Sequence, residues 1–274
     1  MMDGRLIRKI TIAVVFVSLG SCVATPHVAL LDTESRPECV VLLHGLNRSW
    51  RAMEPMAAAL RNAGFATANV DYSSRAGTVA ELVPLSVDAG LETCRQGGSS
   101  RIHFVTHSIG GILLRYAYDR DPIPDLGRVV MLGPPNQGSE VVDIARGWPT
   151  AKLLGGPAGL QLGTGEDSVP AQLGPVEFEL GVIAGTRSTN PLFSAMLPDA
   201  DDGKVSVART RVAGMDDFLV VKNSHFFMMS DRYVIENTMA FLKTGAFIDS
   251  ERSPEQLTFR ETDETRNTKQ ASLK

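Results

Sequence analysis

The 274-residue chain predicts an α/β domain built on a mostly parallel, doubly wound sheet. Three observations carry that expectation. Short apolar runs alternate with amphipathic runs of helical spacing, the order in which parallel strands and crossover helices follow one another. Several of the apolar runs are continuous rather than alternating, as in 39–43 (CVVLL) and 128–132 (RVVML), which suits strands covered on both faces. Third, in 101–115 (RIHFVTHSIGGILLR) the strand formers Ile102, Phe104 and Val105 run directly into a serine, with Ile109, Ile112, Leu113 and Tyr116 at helical spacing behind it. Strand, sharp turn and helix meet at Ser108. Such a joint presents a serine hydroxyl on a strained turn, with the free N–H groups of the next helix aimed at the same spot.

The length suits one large domain with a substantial core. A formal charge of −4 and the lack of a basic block beyond the first few residues give no nucleic-acid signature, and no nucleic-acid partner is expected. Residues 1–22 read as an export signal: Arg5, Arg8 and Lys9 precede an apolar run over 10–19, shorter than the roughly 20 residues of a membrane span. The run ends in Leu19-Gly20-Ser21-Cys22, similar to the lipobox of bacterial lipoproteins, which makes Cys22 the lipidation candidate and membrane association its consequence. Cleavage after Ala24 and an uncleaved anchor are the alternatives. Either way the chain is expected to be exported to a bacterial envelope, as an anchored lipoprotein or a periplasmic or secreted protein.

Removing Cys22 leaves Cys39 and Cys94, an even pair for an oxidising compartment. Cys39 opens a strand and Cys94 closes a helix before another strand, so a disulfide at the rim of the sheet away from the serine and two free thiols both remain open.

Residues 23–37, with Pro26 and Pro37, read as a linker, and 38–248 as the domain. After the first strand, 52–62 reads as a helix stopped by Gly64, 66–70 as a strand and 79–94 as a second helix. The turn Asp71-Tyr72-Ser73-Ser74-Arg75 is a loop with no assigned role. Beyond the 128–132 strand, Gly133-Pro134-Pro135-Asn136-Gln137-Gly138-Ser139 reads as a turn with Ser139 capping a short helix. Residues 147–175 have many glycines and prolines and scattered leucines, among them Leu153, Leu154, Leu160 and Leu162, and read as a loop-rich insertion. Strands follow at 180–184 and 217–221, then an amphipathic helix over 234–242 and a polar, disordered tail at 249–274.

Thr106-His107-Ser108-Ile109-Gly110 resembles the nucleophile elbow of the α/β-hydrolase fold, the family of lipases, esterases and related acyl-transfer enzymes, written Gly-x-Ser-x-Gly. Threonine replaces the first glycine, implying a slightly wider elbow, while Gly110 and Gly111 remain to bring the helix close. The resemblance extends from about residue 40 to 245, and the branch is similar to the inositol deacylase-like lipases. It implies an α/β-hydrolase fold whose cap is the 147–175 insertion, with the leucines either facing an acyl chain or packing the cap onto the sheet. His44-Gly45 after the first strand matches the family's oxyanion turn, implying backbone donors at Leu46 and Ile109. The triad acid falls in Asp199-Ala200-Asp201-Asp202-Gly203, where the Asp-Gly pair selects Asp202 over Asp199 and Asp201. His225, in the loop after the last strand, completes the family's order of nucleophile, acid, histidine.

The resemblance implies an ester hydrolase of lipase or carboxylesterase type acting on an ester or acyl-lipid through an acyl-serine. An acyltransferase or thioesterase would use the same residues, and a noncatalytic envelope lipoprotein would keep only the scaffold. No H-E-x-x-H, cysteine-histidine cluster or phosphate-cradling loop occurs, so no metal or cofactor is expected.

Overall fold

The computed structural model describes residues 37–148, 151–189, 194, 197 and 200–248, all within the unit Arg36–Lys274. The segment expected to be an export signal, with Cys22, the expected linker as far as residue 36, and residues 249–274 lie outside the described residues.

Six strands form one sheet in the order β2-β1-β3-β4-β5-β6, and every neighbouring pair is parallel. They are β1 (Cys39–Leu43), β2 (Ala66–Val70), β3 (Ile102–His107), β4 (Leu126–Leu132), β5 (Leu180–Gly185) and β6 (Asp217–Val221). The chain winds outward one way from β1 to β2 and the other way from β3 onward. Their C-terminal ends therefore diverge at the β1/β3 boundary, the crevice where ligands bind in open α/β sheets.

The continuous apolar runs are explained by two cores. Val41, Leu43, Phe104, Met131 and Val182 face one side and pack with Leu82, Leu91, Ile112 and Leu113. Val40, Leu42, Val105, Val130 and Ile183 face the other and meet Met56, Leu60, Val234 and Phe241. Period-two alternation thus puts apolar side chains on both faces.

The helices follow their local chemistry. In α1 (Glu54–Asn62) a proline in the first turn fits the unbonded N–H positions there, and Gly64 at φ 95° turns the chain out. Residues 79–94, read as one helix, are instead α2 (Val79–Val83), a π-helical turn (Pro84–Asp88) and α3 (Ala89–Gln96). Pro84 has no N–H to give the regular ladder, and the widened turn accommodates it. Thr78 and Glu81 form a reciprocal capping box at the start of α2. The elbow helix is α4 (Ile109–Arg120). The segment 147–175 is more ordered than its composition suggests. It contains α6 (Ala151–Leu160), following α5 (Glu140–Arg146), and α7 (Val169–Gln172). Gly156 at φ 62° breaks α6 and Pro157 restarts it, which erases helical periodicity from the sequence. A short α8 (Val207–Thr210) follows β5, and α9 (Arg232–Thr244) closes the domain, capped by Asp231 and ended by Gly245 at φ 83°.

Cys39 and Cys94 are joined by a disulfide with Cα atoms 5.7 Å apart, tying the start of β1 to α3 at the N-terminal edge of the sheet. The bridge spans 55 residues. Its loss through Cys94→Ala is expected to cost about 4 kcal/mol by loop-closure entropy, read as a lower urea midpoint with a larger m-value, because the unlinked denatured chain is more expanded. An unshifted midpoint would contradict this.

Candidate active site

Ser108 occupies φ 55°, ψ −123°, a strained backbone for a non-glycine residue. Its N–H donates to Leu132 O (2.9 Å), fixing the end of β3 against β4. The turn can be this sharp because two glycines follow. A Cβ on Gly110 would lie 3.0 Å from Leu43, and one on Gly111 would lie 3.0 Å from Met131 Sδ and 3.3 Å from Thr106 Oγ1. Room for Thr106 is thus made on the helix side.

The structure brings Ser108, His225 and Asp202 together. Ser108 Oγ is 3.0 Å from His225 Nε2, and His225 Nδ1 is 2.7 Å from Asp202 Oδ2. The carboxylate accepts only, so Nδ1 carries the proton and Nε2 is left to accept from the serine hydroxyl. Asp202 is fully buried, and its Oδ1 accepts the backbone N–H groups of Lys204 (3.0 Å) and Val205 (2.9 Å). The His225 N–H donates to Asp202 O (3.0 Å), so the two loops are joined through backbone as well as side chains. Gly133, at φ 53°, lies beneath this pair, where a Cβ would come within 2.9 Å of Asp202 Oδ2 and 3.1 Å of His225 Nδ1. Neighbouring Asp201 is committed elsewhere, accepting from Ser194 Oγ and from the Gly203 N–H. Asp199 lies outside the described residues.

Leu46 and Ile109 flank the serine at the ends of β1 and β3. Among the described residues neither N–H donates to a carbonyl, so both amides are available to an incoming acceptor. The Leu46 turn is braced by a segment that sequence reasoning left without a role. Tyr72 stacks on His44 (ring centroids 4.2 Å apart, planes 14° apart), and its hydroxyl donates to the His44 carbonyl. Ser74 Oγ accepts the N–H of Asn47, a residue held at φ 58°. The available signal was positional: this turn follows β2, the neighbour of β1, at the ligand-binding end of the sheet.

His107 is a second residue whose part was not read from the sequence. It is buried, its Nε2–H donates to the His225 carbonyl (2.8 Å), and the two rings lie 4.7 Å apart. Burial, with the neighbouring His225 adding to it, holds its pKa well below the ordinary histidine value, so it stays neutral beside any charge on His225. A Cβ on Gly45 would press to 2.5 Å from His107 Nδ1, which explains the glycine after His44.

His44 and His103 are also buried, and burial lowers both of their pKa values. All three depressed groups bind fewer protons folded than unfolded near and below the ordinary value of about 6.5. Their contribution to stability is therefore complete above that pH and is lost as pH falls toward the folded values. Tm is expected to be lower at about pH 5 than at about pH 7.5, with His103→Asn reducing the difference. A flat Tm over that window would contradict it.

A cavity of about 450 Å³ opens beside Ser108 and His225. Val141, Val142, Leu160, Leu162 and Trp148 give it an apolar wall. Leu162 also belongs to the core, so it both seals the segment to the sheet and lines the cavity. The side chains of Leu153 and Leu154 lie outside what is described. Ser139 precedes α5, but its hydroxyl donates to Lys204 O (2.7 Å) instead of capping the helix, tying that helix to the Asp202 loop. Arg115, buried on α4, donates to the carbonyls of Asn136, Leu173 and Gly174, and burial draws its pKa down to about 10. The elbow helix is thereby linked to the segment over the cavity. Among the described residues no cluster of three or more histidine, cysteine or acidic side chains could hold a metal, and no helix is long and apolar enough to cross a membrane.

The same architecture occurs in solved bacterial structures. The mature Bacillus licheniformis lipase BlEst2 is 21% identical, with a TM-score of 0.61 over 78% of this chain and 94% of that one. Phospholipase PlaB from Legionella pneumophila, in complex with thio-NAD, is 17% identical, with a TM-score of 0.57 over 76% of this chain and 56% of that one. The metagenomic carboxyl esterase MGS0156 is 18% identical, with a TM-score of 0.54 over 72% of this chain and 66% of that one. At these identities the likeness is one of fold. No curated protein matches the chain. The sequence profile described as the Alpha/beta hydrolase family matches residues 40–240, most of the chain, from within β1 to within α9, and the chain belongs to that family.

Proposed function

We propose that the protein is a serine esterase of lipase or carboxylesterase type, cleaving carboxylic esters through an acyl-enzyme on Ser108. The observation that carries this reading is the unbroken chain from Ser108 Oγ through His225 to Asp202, at 3.0 and 2.7 Å, opening onto an apolar cavity. A scaffold used only for binding has no need of that alignment. The names of the fold neighbours, a lipase, a phospholipase and a carboxyl esterase, point in the same direction.

In this reading His225 Nε2 takes the Ser108 proton as the oxygen attacks the ester carbonyl. The oxyanion accepts the N–H groups of Leu46 and Ile109, each such donor being worth about 10²–10³ in turnover because the charge exists only in the transition state. The imidazolium, held by Asp202, returns its proton to the leaving alkoxide, and a water activated by His225 then releases the acid and restores Ser108. The acyl chain lies against Val142, Leu160 and Leu162.

A series of 4-nitrophenyl esters of increasing acyl length tests the reading. Saturable hydrolysis that improves until the cavity is filled is expected; no turnover by folded protein at any length would sink it. A thioester substrate and an added alcohol acceptor in the same assay separate the thioesterase and acyltransferase alternatives. The export signal with Cys22 as its lipid site remains a proposal on sequence alone, and loss of fatty-acid labelling in Cys22→Ala cells would support it.

A further inference from the structure

The carbonyl behind the Leu46 amide is held by a buried histidine. Gly45 O and the Leu46 N–H are the two ends of one planar trans peptide and point opposite ways, so whatever fixes the oxygen aims the hydrogen. Gly45 O accepts twice, from His44 Nδ1–H (2.9 Å) and from the Arg48 N–H (3.2 Å). This peptide stands beside the nucleophile, where a Cβ on Gly45 would lie 3.2 Å from Ser108 Cβ. The histidine itself has one usable state. A carbonyl only accepts, so Nδ1 carries the proton; the Tyr72 N–H only donates, so Nε2, 3.4 Å from it, is bare. Asp71 Oδ1 is 3.7 Å from Nε2 and accepts the Trp50 N–H (3.1 Å) instead. Tyr72 also stacks on the ring and donates its hydroxyl to the His44 carbonyl, which fixes the ring's orientation. Burial draws the His44 pKa down, so the ring stays neutral. A side chain that merely filled this space would need neither a set tautomer nor a partner at each nitrogen.

We infer that His44, set in its Nδ1–H tautomer by Tyr72, is a positioning residue for the reaction: it aims the Leu46 N–H at the oxyanion by holding the carbonyl of the same peptide. This rests on the esterase reading and gives one of its two backbone donors the side chain that orients it. Two donors on Gly45 O also polarise the peptide, which strengthens its N–H as a donor. The oxyanion exists only in the transition states of acylation and deacylation, so losing the aim slows both steps and spares ground-state binding.

The test measures kcat and KM on a 4-nitrophenyl ester for the purified chain, His44→Phe and His44→Asn. Phenylalanine keeps a ring against Tyr72 and loses the donor. Its kcat is expected to fall about tenfold or more, up to the roughly 10²–10³-fold of a lost oxyanion donor, with KM changed by less than about twofold. Asparagine can place an N–H where Nδ1–H stands and is expected to recover most of that loss. A purely structural role predicts the opposite order, because phenylalanine fills the buried space better. His44→Phe at least as active as His44→Asn, or a change confined to KM, would overturn the inference while leaving the esterase reading intact. No turnover by the unsubstituted protein would overturn both. Ring-nitrogen NMR of the isotope-labelled, unsubstituted protein needs neither a variant that folds nor a substrate. A neutral His44 ring protonated at Nδ1 is expected at about pH 7. A proton on Nε2, tying the ring to Asp71, would overturn the inference.

Discussion

Replacement of Ser108 by alanine is expected to lower kcat/KM for ester hydrolysis by about 10⁵–10⁶-fold, leaving only what the oxyanion donors and cavity contribute by binding. His225→Ala should cost about as much, and the double variant little more, because the two groups act as one unit. The backbone supplies a control that separates chemistry from folding. Ser108 sits at φ 55°, where any side chain carries a penalty of about 1–3 kcal/mol. Ser108→Gly relieves that strain, so it should be at least as stable as the parent and equally inactive. Retained turnover in a folded Ser108→Gly protein would mean that another group is the nucleophile.

Asp202→Asn is expected to cost about 10⁴-fold in kcat with little change in fold. The reason lies in which oxygen does what. Oδ1 accepts two backbone N–H groups, from Lys204 and Val205, so an asparagine keeps its carbonyl oxygen there and turns its NH₂ toward His225. Two donors then face each other at Nδ1, and the ring escapes by moving its proton to Nε2, where it can no longer accept from Ser108. Asp201 cannot take over, since its oxygens are held by Ser194 and Gly203. A loss below about tenfold would show that the imidazole is oriented by something other than Asp202.

The sheet was legible because burial on both faces writes itself into sequence as unbroken apolar runs; β1, β2 and β6 begin and end where the pattern does. The meeting of Ser108, Asp202 and His225 was legible through their order and their places after strands, and the Asp-Gly pair favoured Asp202, but which carboxylate faces His225 is fixed only in the folded turn. Hydrogen bonding decides that, and the deciding N–H groups belong to the turn itself. The bracing of the turn around Leu46 by Tyr72 and Ser74 was hidden because β1 and β2 are adjacent only in the folded sheet. The Gly155-Gly156-Pro157 sequence obscured a helix that tolerates a break, and the wide turn at Pro84 was hidden inside a pattern that reads as one continuous helix. Ser139 had the composition of a cap, but the carbonyl of Lys204 took its hydroxyl.

The central claim is that Ser108 is an activated nucleophile. Incubating the purified protein with a fluorophosphonate and locating the adduct by mass spectrometry addresses it without any choice of substrate. A single adduct on Ser108, absent from Ser108→Gly and suppressed in Asp202→Asn, is the predicted result. Folded protein that stays unmodified, or an adduct on a different residue, would contradict the account.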